Sequence, residues 1–213
     1  MLDTTIDLNK DNFTAVHRGV TALRQYEEFK LVPVLVRLLA QGEPVSVERL
    51  ASEGGWPEDE VRTGLARHPG VEWDDQGRIA GFGLTLRTTQ HRFDFDGKTV
   101  YGWCASDVLS FPFLLERSGI VSSTCPVTGQ TIRVEVTPEA VVQVDPPGAV
   151  VSSVRPAERV KDVRAEICGL GHFFSSPEAA SAWLSETPEG MLHSVAEDFE
   201  VHQQVFAEIG WTK

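Results

Sequence analysis

The sequence predicts an α+β fold, in which a helical N-terminal part packs on an antiparallel sheet core with flanking helices. Apolar residues recur at helical spacing through the first third of the chain. From Thr85 onward they alternate with polar residues, in the period of two that is typical of half-buried strands. With 213 residues, of which 41% are hydrophobic, the chain can form one large domain or two small ones around a real core.

Four helices are predicted before residue 70. They cover residues 11–30, 31–41, 46–54 and 57–68. Polar N-cap residues, a glycine stop and a proline at the start of the fourth helix mark their ends.

Two strands, at residues 71–73 and 79–86, follow these helices around a polar turn. A winged-helix unit has this order of elements, with helices followed by a hairpin. The sequence therefore predicts a winged-helix-like N-terminal domain at residues 1–80 and a second domain at residues 81–213. Between residues 31 and 86, however, five arginines stand against nine acidic residues, and the whole chain has a net charge of -12. Because phosphate groups are bound by cations, we expect no nucleic-acid partner and a scaffold role for the winged-helix-like part.

The second domain is predicted to be rich in strands. Residues 87–96 and 99–103 flank Asp96-Gly97, a strong hairpin signal. Further predicted strands are residues 120–123, 131–137, 141–144 and 149–154. Ser175 or Ser176 is expected to cap a helix that ends at Leu184, and residues 189–209 are predicted as a final helix, interrupted at residues 190–193.

The composition also bears on location. Residues 1–7 have neither a basic start nor an apolar segment, so no secretory signal is predicted. The apolar segment at residues 31–40 is too short to span a bilayer. The chain has three cysteines, Cys104, Cys125 and Cys168. Their odd number favours a reducing compartment over a disulfide framework. Because no two of them have CxxC spacing, the sequence gives no evidence for a structural zinc site. We therefore expect a cytoplasmic protein with no membrane partner.

The stretch from residue 101 to residue 112 holds a cysteine and a carboxylate three positions apart. On a short helix that Pro112 closes, Cys104 and Asp107 would share one face. A helix N-terminus tends to lower the pKa of a thiol, and apolar surroundings tend to raise the pKa of a carboxyl group, so the pair offers a nucleophile and a proton carrier. The alternative is a purely structural role for both residues, in which Cys104 is buried in the core and Asp107 caps a turn.

Two further chemistries are open to the thiols. His172 lies four positions after Cys168 and could serve a Cys-His hydrolase as its base, but the sequence has no hydrolase signature. Two thiols and one carboxylate suit a soft metal better, since thiolates select such ions as Hg(II), Cu(I) and Zn(II). On an organomercurial, a second thiolate makes the carbon more basic, and a nearby acid can then protonate it.

The segment from residue 81 to residue 174 resembles the bacterial organomercurial lyases, also called alkylmercury lyases. The helical N-terminal part resembles the winged-helix-like domain of that family more loosely. The matching stretches are Gly81-Phe82-Gly83-Leu84-Thr85-Leu86-Arg87-Thr88-Thr89, Tyr101-Gly102-Trp103-Cys104-Ala105-Ser106-Asp107, Phe111-Pro112, Val121-Ser122-Ser123-Thr124-Cys125, Ile167-Cys168 and His172-Phe173-Phe174.

The resemblance implies a role for each of the matching residues. Cys104 and Cys168 would be the sulfur ligands of mercury, and Asp107 would carry the proton to the leaving carbon and help to hold the metal. Cys125 matches a structural cysteine. The products would be a hydrocarbon and Hg(II), with no resident cofactor; low-molecular-weight thiols would assist release, and a mercuric reductase is a candidate partner. The aromatic residues expected to wall the site are Trp103, Phe111, Phe173 and Phe174.

Two positions depart from the family pattern. Ser106 stands where members are usually apolar, and Gly169 follows Cys168 where some members have another cysteine. The alternative function is a non-catalytic soft-metal binding or sensing protein. Asp107 separates the two functions, because only a lyase needs a proton carrier beside the thiols. A winged-helix DNA regulator is a third hypothesis, which the charge disfavours.

Overall fold

The structure is a computed structural model that describes residue 17 and residues 27–155 and 160–212. Most of the predicted helix at residues 11–30 lies outside the described residues; His17 is helical, and Glu27–Leu31 form a 3₁₀ helix. In the described ranges, every helix is too short or too polar to cross a membrane.

Three α-helices and a small hairpin follow in the winged-helix-like order that the sequence predicts. Ser46 caps the second helix by accepting a hydrogen bond from the backbone of Arg49 at 3.2 Å. The third helix begins with three acidic residues, which suit the positive end of its dipole. The elements are α1 (Val32–Leu39), α2 (Val47–Gly54), α3 (Glu58–Ala66), β1 (Glu72–Trp73) and β2 (Ile79–Phe82).

One antiparallel sheet of eight strands includes β1 and β2 and therefore ties the helical part to the rest of the chain. Its other strands are β3 (Leu84–Thr85), β4 (His91–Phe95), β5 (Lys98–Gly102), β6 (Gly119–Thr124), β7 (Thr131–Val136) and β8 (Val141–Asp145), in the order β1-β2-β3-β5-β4-β6-β7-β8. The predicted turn is confirmed, since Asp96 and Gly97 have φ angles of 46° and 73°. Gly83, with φ of 74°, interrupts the predicted strand at residues 79–86.

The helix that begins after Cys104 is longer than predicted. This helix, α4 (Ala105–Leu115), runs through Pro112, so the prediction that Pro112 ends it is wrong. A proline inside a helix removes one backbone hydrogen bond. Burial of the following turn outweighs that loss, because Phe113 packs edge-on against Phe199 and Phe206 with ring centroids 5.4 and 5.7 Å apart.

The chain also forms a second, three-stranded sheet, and a short helix, α5 (Val163–Glu166), lies between the first two of its strands in the sequence. The central strand of this sheet, β9 (Val150–Val154), pairs with β10 (Phe173–Phe174) and β11 (Gly190–Ser194). The prediction of a final helix at residues 189–209, interrupted at residues 190–193, places the interruption correctly, but the interruption is a strand, because residues 190–194 find their hydrogen-bond partners in β9. The final helix, α7 (Val195–Glu208), begins at a capping box of Ser194 and Glu197.

The helix predicted from Ser175 or Ser176 to Leu184 is also displaced. Residues 177–180 form a turn, and the helix, α6, occupies Ser181–Glu186. The hydroxyl of Ser176 does accept a hydrogen bond from the backbone N–H of Ala179, at 3.3 Å. The polar cap is therefore real, but it closes a turn that precedes the helix.

A buried carboxylate connects the N-terminal part to both segments that carry the predicted site. Glu72 in β1 is 4% exposed and accepts hydrogen bonds from Trp103 Nε1 at 2.9 Å and from Arg164 Nη1 at 2.6 Å. The guanidinium of Arg164 also stacks over the Trp103 ring, 4.9 Å from its centroid. Trp103 directly precedes Cys104, and Arg164 lies on α5 just before Cys168. Glu72 therefore fixes the surroundings of both cysteines.

Cys125 begins the turn between β6 and β7. It is 1% exposed; its backbone N–H donates to Gln130 O at 2.9 Å, and its carbonyl accepts from Gly129 N at 3.0 Å. Burial opposes ionisation of the thiol. Hydrogen bonds from Thr128 and from backbone groups that include Ser175 outweigh burial and lower the pKa of Cys125 to about 6.

Replacing Glu72 with glutamine is expected to lower the free energy of unfolding by about 2–4 kcal/mol, because the buried indole N–H of Trp103 and the partly exposed guanidinium of Arg164 lose a charged acceptor. Urea unfolding followed by tryptophan fluorescence measures this change. Glu58→Gln is the control, since Glu58 pairs with Arg62 at the exposed surface and should contribute little. Equal losses in the two variants would contradict the role given to Glu72.

The lowered pKa of Cys125 predicts a pH-dependent contribution to stability. The ionised thiol favours the folded state, so this contribution is fully present above the ordinary pKa of 9.0 and is lost as the pH falls through about 6. We expect the difference in unfolding free energy between the wild type and Cys125→Ser to grow as the pH rises from 6 to 9. Urea titrations of both proteins across this range test it, and a difference that does not change with pH would refute the assignment.

Candidate active site

The first turn of α4 holds two of the three predicted site residues. Asp107 Oδ2 accepts hydrogen bonds from the backbone N–H groups of Trp103 at 3.1 Å and of Cys104 at 3.0 Å. The side chain of Cys104, the N-cap residue, in turn accepts a hydrogen bond from the backbone of Asp107. This reciprocal capping box fixes the thiol and the carboxylate relative to each other. The alternative role of Asp107 as a helix cap is therefore real, and it coexists with the placement of Asp107 in the site.

The third predicted residue, Cys168, lies on a 3₁₀ turn (Cys168–Leu170) that is clamped to β9. The hydroxyl of Ser152 donates to the carbonyl of Leu170 at 2.8 Å and accepts from the backbone N–H of His172 at 2.9 Å. The buried hydroxyl of Ser152 therefore acts as both donor and acceptor, and it holds the segment that carries Cys168 in place.

A close backbone contact joins this turn to α4. The backbone N–H of Ala105 donates to Gly171 O at 3.1 Å. A Cβ atom on Gly171 would lie 2.9 Å from Cys104 Cβ, too close for any other residue without displacement. The glycine therefore allows the two cysteine-bearing segments to meet.

The fold brings all three predicted site residues together. The sulfur atoms of Cys104 and Cys168 and a carboxylate oxygen of Asp107 lie within 4.8 Å of one another. Each cysteine is 6% exposed, and neither forms a disulfide. Within the described ranges, no other group of three His, Cys, Asp or Glu side chains has this spacing, and Cys125 stays outside the cluster.

Hydrogen bonding within the cluster, burial and the Asp107 carboxylate together set the ionisation of its three groups. A hydrogen bond with Cys168, burial and the nearby Asp107 carboxylate raise the pKa of Cys104 well above its ordinary value. For Cys168, the hydrogen bond from Cys104 favours the thiolate, but burial and Asp107 outweigh it, so its pKa is also raised. The expectation of a lowered pKa for Cys104 is therefore wrong, because these effects exceed that of the helix N-terminus. Burial also raises the pKa of Asp107, as expected, against the hydrogen bonds that it accepts.

The cluster lines a cavity of about 170 Å³ whose wall is mostly apolar. Of the aromatic residues predicted to wall the site, Trp103 and Phe111 do so. Phe173 and Phe174 do not; they lie on β10 and are 0% and 1% exposed in the core. His172 is not part of the lining, and its ring packs edge-on against Phe174. The geometry therefore gives no support to a Cys-His hydrolase.

Sequence reasoning missed two polar residues of α7, one that lines this cavity and one that contacts its lining. Asp198, 1% exposed, accepts a hydrogen bond from Ser106 Oγ at 3.0 Å, and His202 lines the cavity. These residues are 92 and 96 positions from Ser106. The unusual polar residue at position 106 was the one available signal.

Two family models match the chain. The model described as alkylmercury lyase matches residues 84–207. The model described as the helix-turn-helix domain of alkylmercury lyase matches residues 20–83.

Curated relatives named alkylmercury lyase are similar over most of their length. The protein of Staphylococcus epidermidis is 47% identical over 173 residues, covering 81% of this chain and 80% of the relative. That of Bacillus cereus is 46% identical over 167 residues, covering 78% and 76%. That of Streptomyces lividans is 42% identical over 167 residues, covering 78% and 77%.

A solved structure supports the fold. The crystal structure of the mercury-bound form of MerB2 superimposes with a TM-score of 0.69 at 22% identity, covering 87% of this chain and 98% of the other. The family model over more than half of the sequence and the relatives above 40% identity show that the chain belongs to the alkylmercury lyase family.

Proposed function

We propose that this protein cleaves carbon–mercury bonds by protonolysis in mercury resistance, with Cys104 and Cys168 as the sulfur ligands and Asp107 as the proton carrier. The observation that carries the proposal is the cluster of two buried thiols and one partly buried carboxylate, with their donor atoms within 4.8 Å. Membership of the alkylmercury lyase family supports the reaction. Mercury is the substrate's own metal, and soft sulfur donors are the ligands that it prefers.

The cavity sets the size of the organic group. Its volume of about 170 Å³ is similar to the roughly 150 Å³ of an apolar protein cavity that binds benzene. A phenyl group or a short alkyl chain therefore fits against Trp103 and Phe111, and the apolar wall keeps competing water away from the carbon–mercury bond.

Both protons that the proposed reaction consumes come from the two cysteines. An organomercurial arrives as R–Hg–SR′, and both cysteines arrive as thiols. The hydrogen bond with Cys168, burial and Asp107 raise the pKa of Cys104, and burial and Asp107 raise that of Cys168 against the hydrogen bond from Cys104. The first cysteine displaces R′S⁻, which leaves with one proton as R′SH. The second cysteine gives its proton to Asp107 as its sulfur binds mercury. Asp107 then delivers that proton to the carbon, the carbon–mercury bond breaks, and R–H leaves while Hg(II) stays on two thiolates.

Release requires external sulfur in this scheme. Two low-molecular-weight thiols exchange with the two cysteine thiolates, remove mercury as Hg(SR′)₂ and return both protons to Cys104 and Cys168. A mercuric reductase is the proposed next acceptor of the ion. No resident cofactor takes part. A reducing cytoplasm, which supplies such thiols and keeps three buried cysteines free, is the proposed location.

The helical N-terminal part acts as a scaffold in this proposal. Three acidic residues open α3, a poor surface for phosphates, while Val32 and Val36 of α1 line the cavity. A non-catalytic soft-metal binder would use the same thiols. Asp107 favours the lyase, because a binder needs only the thiols, whereas a lyase also needs a proton carrier beside them.

Cys104→Ser and Cys168→Ser should each abolish methane release from methylmercury, because a single sulfur ligand leaves the carbon–mercury bond inert. Headspace gas chromatography in the presence of excess thiol measures the product. Cys125→Ser is the matched control and should keep its activity per folded molecule. Normal turnover by Cys168→Ser would rule out the paired-thiol mechanism.

Asp107→Asn should still bind Hg(II) through two sulfurs but cleave roughly 10²–10⁴-fold more slowly, the usual effect of removing a positioned acid or base. Asparagine keeps a side-chain oxygen that can cap α4, so the fold should survive. In deuterated buffer, mass spectrometry should find one solvent deuterium in the hydrocarbon from the wild type. Near-normal turnover by Asp107→Asn would show that the proton comes from another group.

A further inference from the structure

The C-terminal end of α7 turns the chain back on the helix. Gly210 has a φ of 77°, and its backbone N–H donates to Ala207 O at 3.0 Å. The backbone N–H of Trp211 donates to Phe206 O at 2.8 Å. These two hydrogen bonds form a Schellman motif, in which a glycine adopts the left-handed conformation just after the helix. The motif lays the indole of Trp211 on the ring of Phe206, with the centroids 4.8 Å apart.

Trp211 and Phe206 both line the cavity that holds the cluster. Phe206 is 8% exposed, whereas Trp211 is only partly buried, so Trp211 lies where the cavity meets solvent. The match to the alkylmercury lyase model ends at residue 207. Trp211 is therefore a part of the cavity wall that lies outside the matched segment.

This aromatic wall lies further along α4 than the sulfur atoms. The ring of Phe206 packs edge-on against Phe113 with centroids 5.7 Å apart. Phe113 follows Cys104 by nine residues, or about two and a half helical turns. The cavity is lined by five residues that α4 contributes over the same length, Ser106, Asp107, Ser110, Phe111 and Leu114. The cavity therefore extends along α4 from the cluster toward Phe206 and Trp211.

The size of the organic group decides how much of this wall it contacts. Mercury bound by Cys104 and Cys168 lies at the cluster end of the cavity. A methyl group ends at the carbon that is bonded to mercury. A phenyl group fills most of the remaining space, because the cavity volume of about 170 Å³ is close to the roughly 150 Å³ of a cavity that binds benzene. Aromatic rings in contact also attract each other beyond the effect of buried area.

We propose that Trp211 is a specificity-determining residue, which contacts the organic group and raises the selectivity of the enzyme for arylmercury compounds over methylmercury. The Schellman motif holds the indole in place for this contact. The inference rests on the proposed lyase function and names its substrate class.

The test compares kcat/KM for phenylmercury with that for methylmercury, with benzene and methane quantified by headspace gas chromatography in the presence of one thiol in excess. The phenyl-to-methyl ratio should be about three- to tenfold lower in Trp211→Ala than in the wild type, the effect of losing one aromatic contact. Comparing the same substrate pair in both proteins cancels the intrinsic reactivity of the substrates and any loss of folded protein.

Two further variants separate contact from structure. Trp211→Phe keeps an aromatic ring and should retain most of the selectivity. Trp56→Ala is the matched control, because Trp56 is also partly buried but does not line the cavity, and it should leave the ratio unchanged. Circular dichroism checks folding. Trp211→Leu replaces Trp211→Ala if the latter does not fold, since leucine still covers Phe206 but has no aromatic ring.

The outcomes distinguish this inference from the lyase function. If the wild type releases neither benzene nor methane, the lyase function itself is overturned. Hydrocarbon release with a phenyl-to-methyl ratio that Trp211→Ala leaves unchanged would overturn the role of Trp211 alone. An equal fall of the ratio in Trp56→Ala would do the same, as would a ratio in Trp211→Phe no higher than that in Trp211→Ala.

Discussion

The reciprocal hydrogen bonds between Cys104 and Asp107 are the constraint on which the rest of the site depends. They satisfy N–H groups that the first turn of α4 would otherwise leave without partners, so they help to start the helix. The same atoms hold a sulfur and a carboxylate oxygen at the cavity wall. The contacts that start the helix therefore also fix the position of the thiol relative to the carboxylate.

The second sulfur depends on tertiary structure instead. Cys168 meets Cys104 because Ser152 clamps one end of its segment and Glu72 holds Arg164 at the other. Gly171 lets the two backbones approach. A buried charge is costly unless it is hydrogen-bonded, and Glu72 meets this condition with side-chain donors from distant parts of the chain. The helical N-terminal part thereby helps to position both cysteines, although it carries neither of them.

Sequence reasoning succeeded where the signal was local. The spacing of Cys104 and Asp107 and the Asp96-Gly97 turn are features of one helical turn and one hairpin, and both were predicted. Sequence reasoning failed where contacts between residues far apart in the sequence determine the structure or the pKa. Residues 190–194 form a strand because β9 is available, and the pKa of Cys104 rises because Cys168 and Asp107 surround it. The contacts of Ser106 with α7 could not be predicted for the same reason.

The shared eight-stranded sheet has a consequence for shortened forms of the protein. Deleting the residues before β3 would strip away β1 and β2 and leave β3 as an unpaired edge. Exposed edges of this kind pair with other chains and promote aggregation. The cut would also remove Val32 and Val36 from the cavity wall and admit solvent to the sulfurs. A minimal enzyme made from this scaffold must therefore retain the helical part, or replace it with another cover for the same edge.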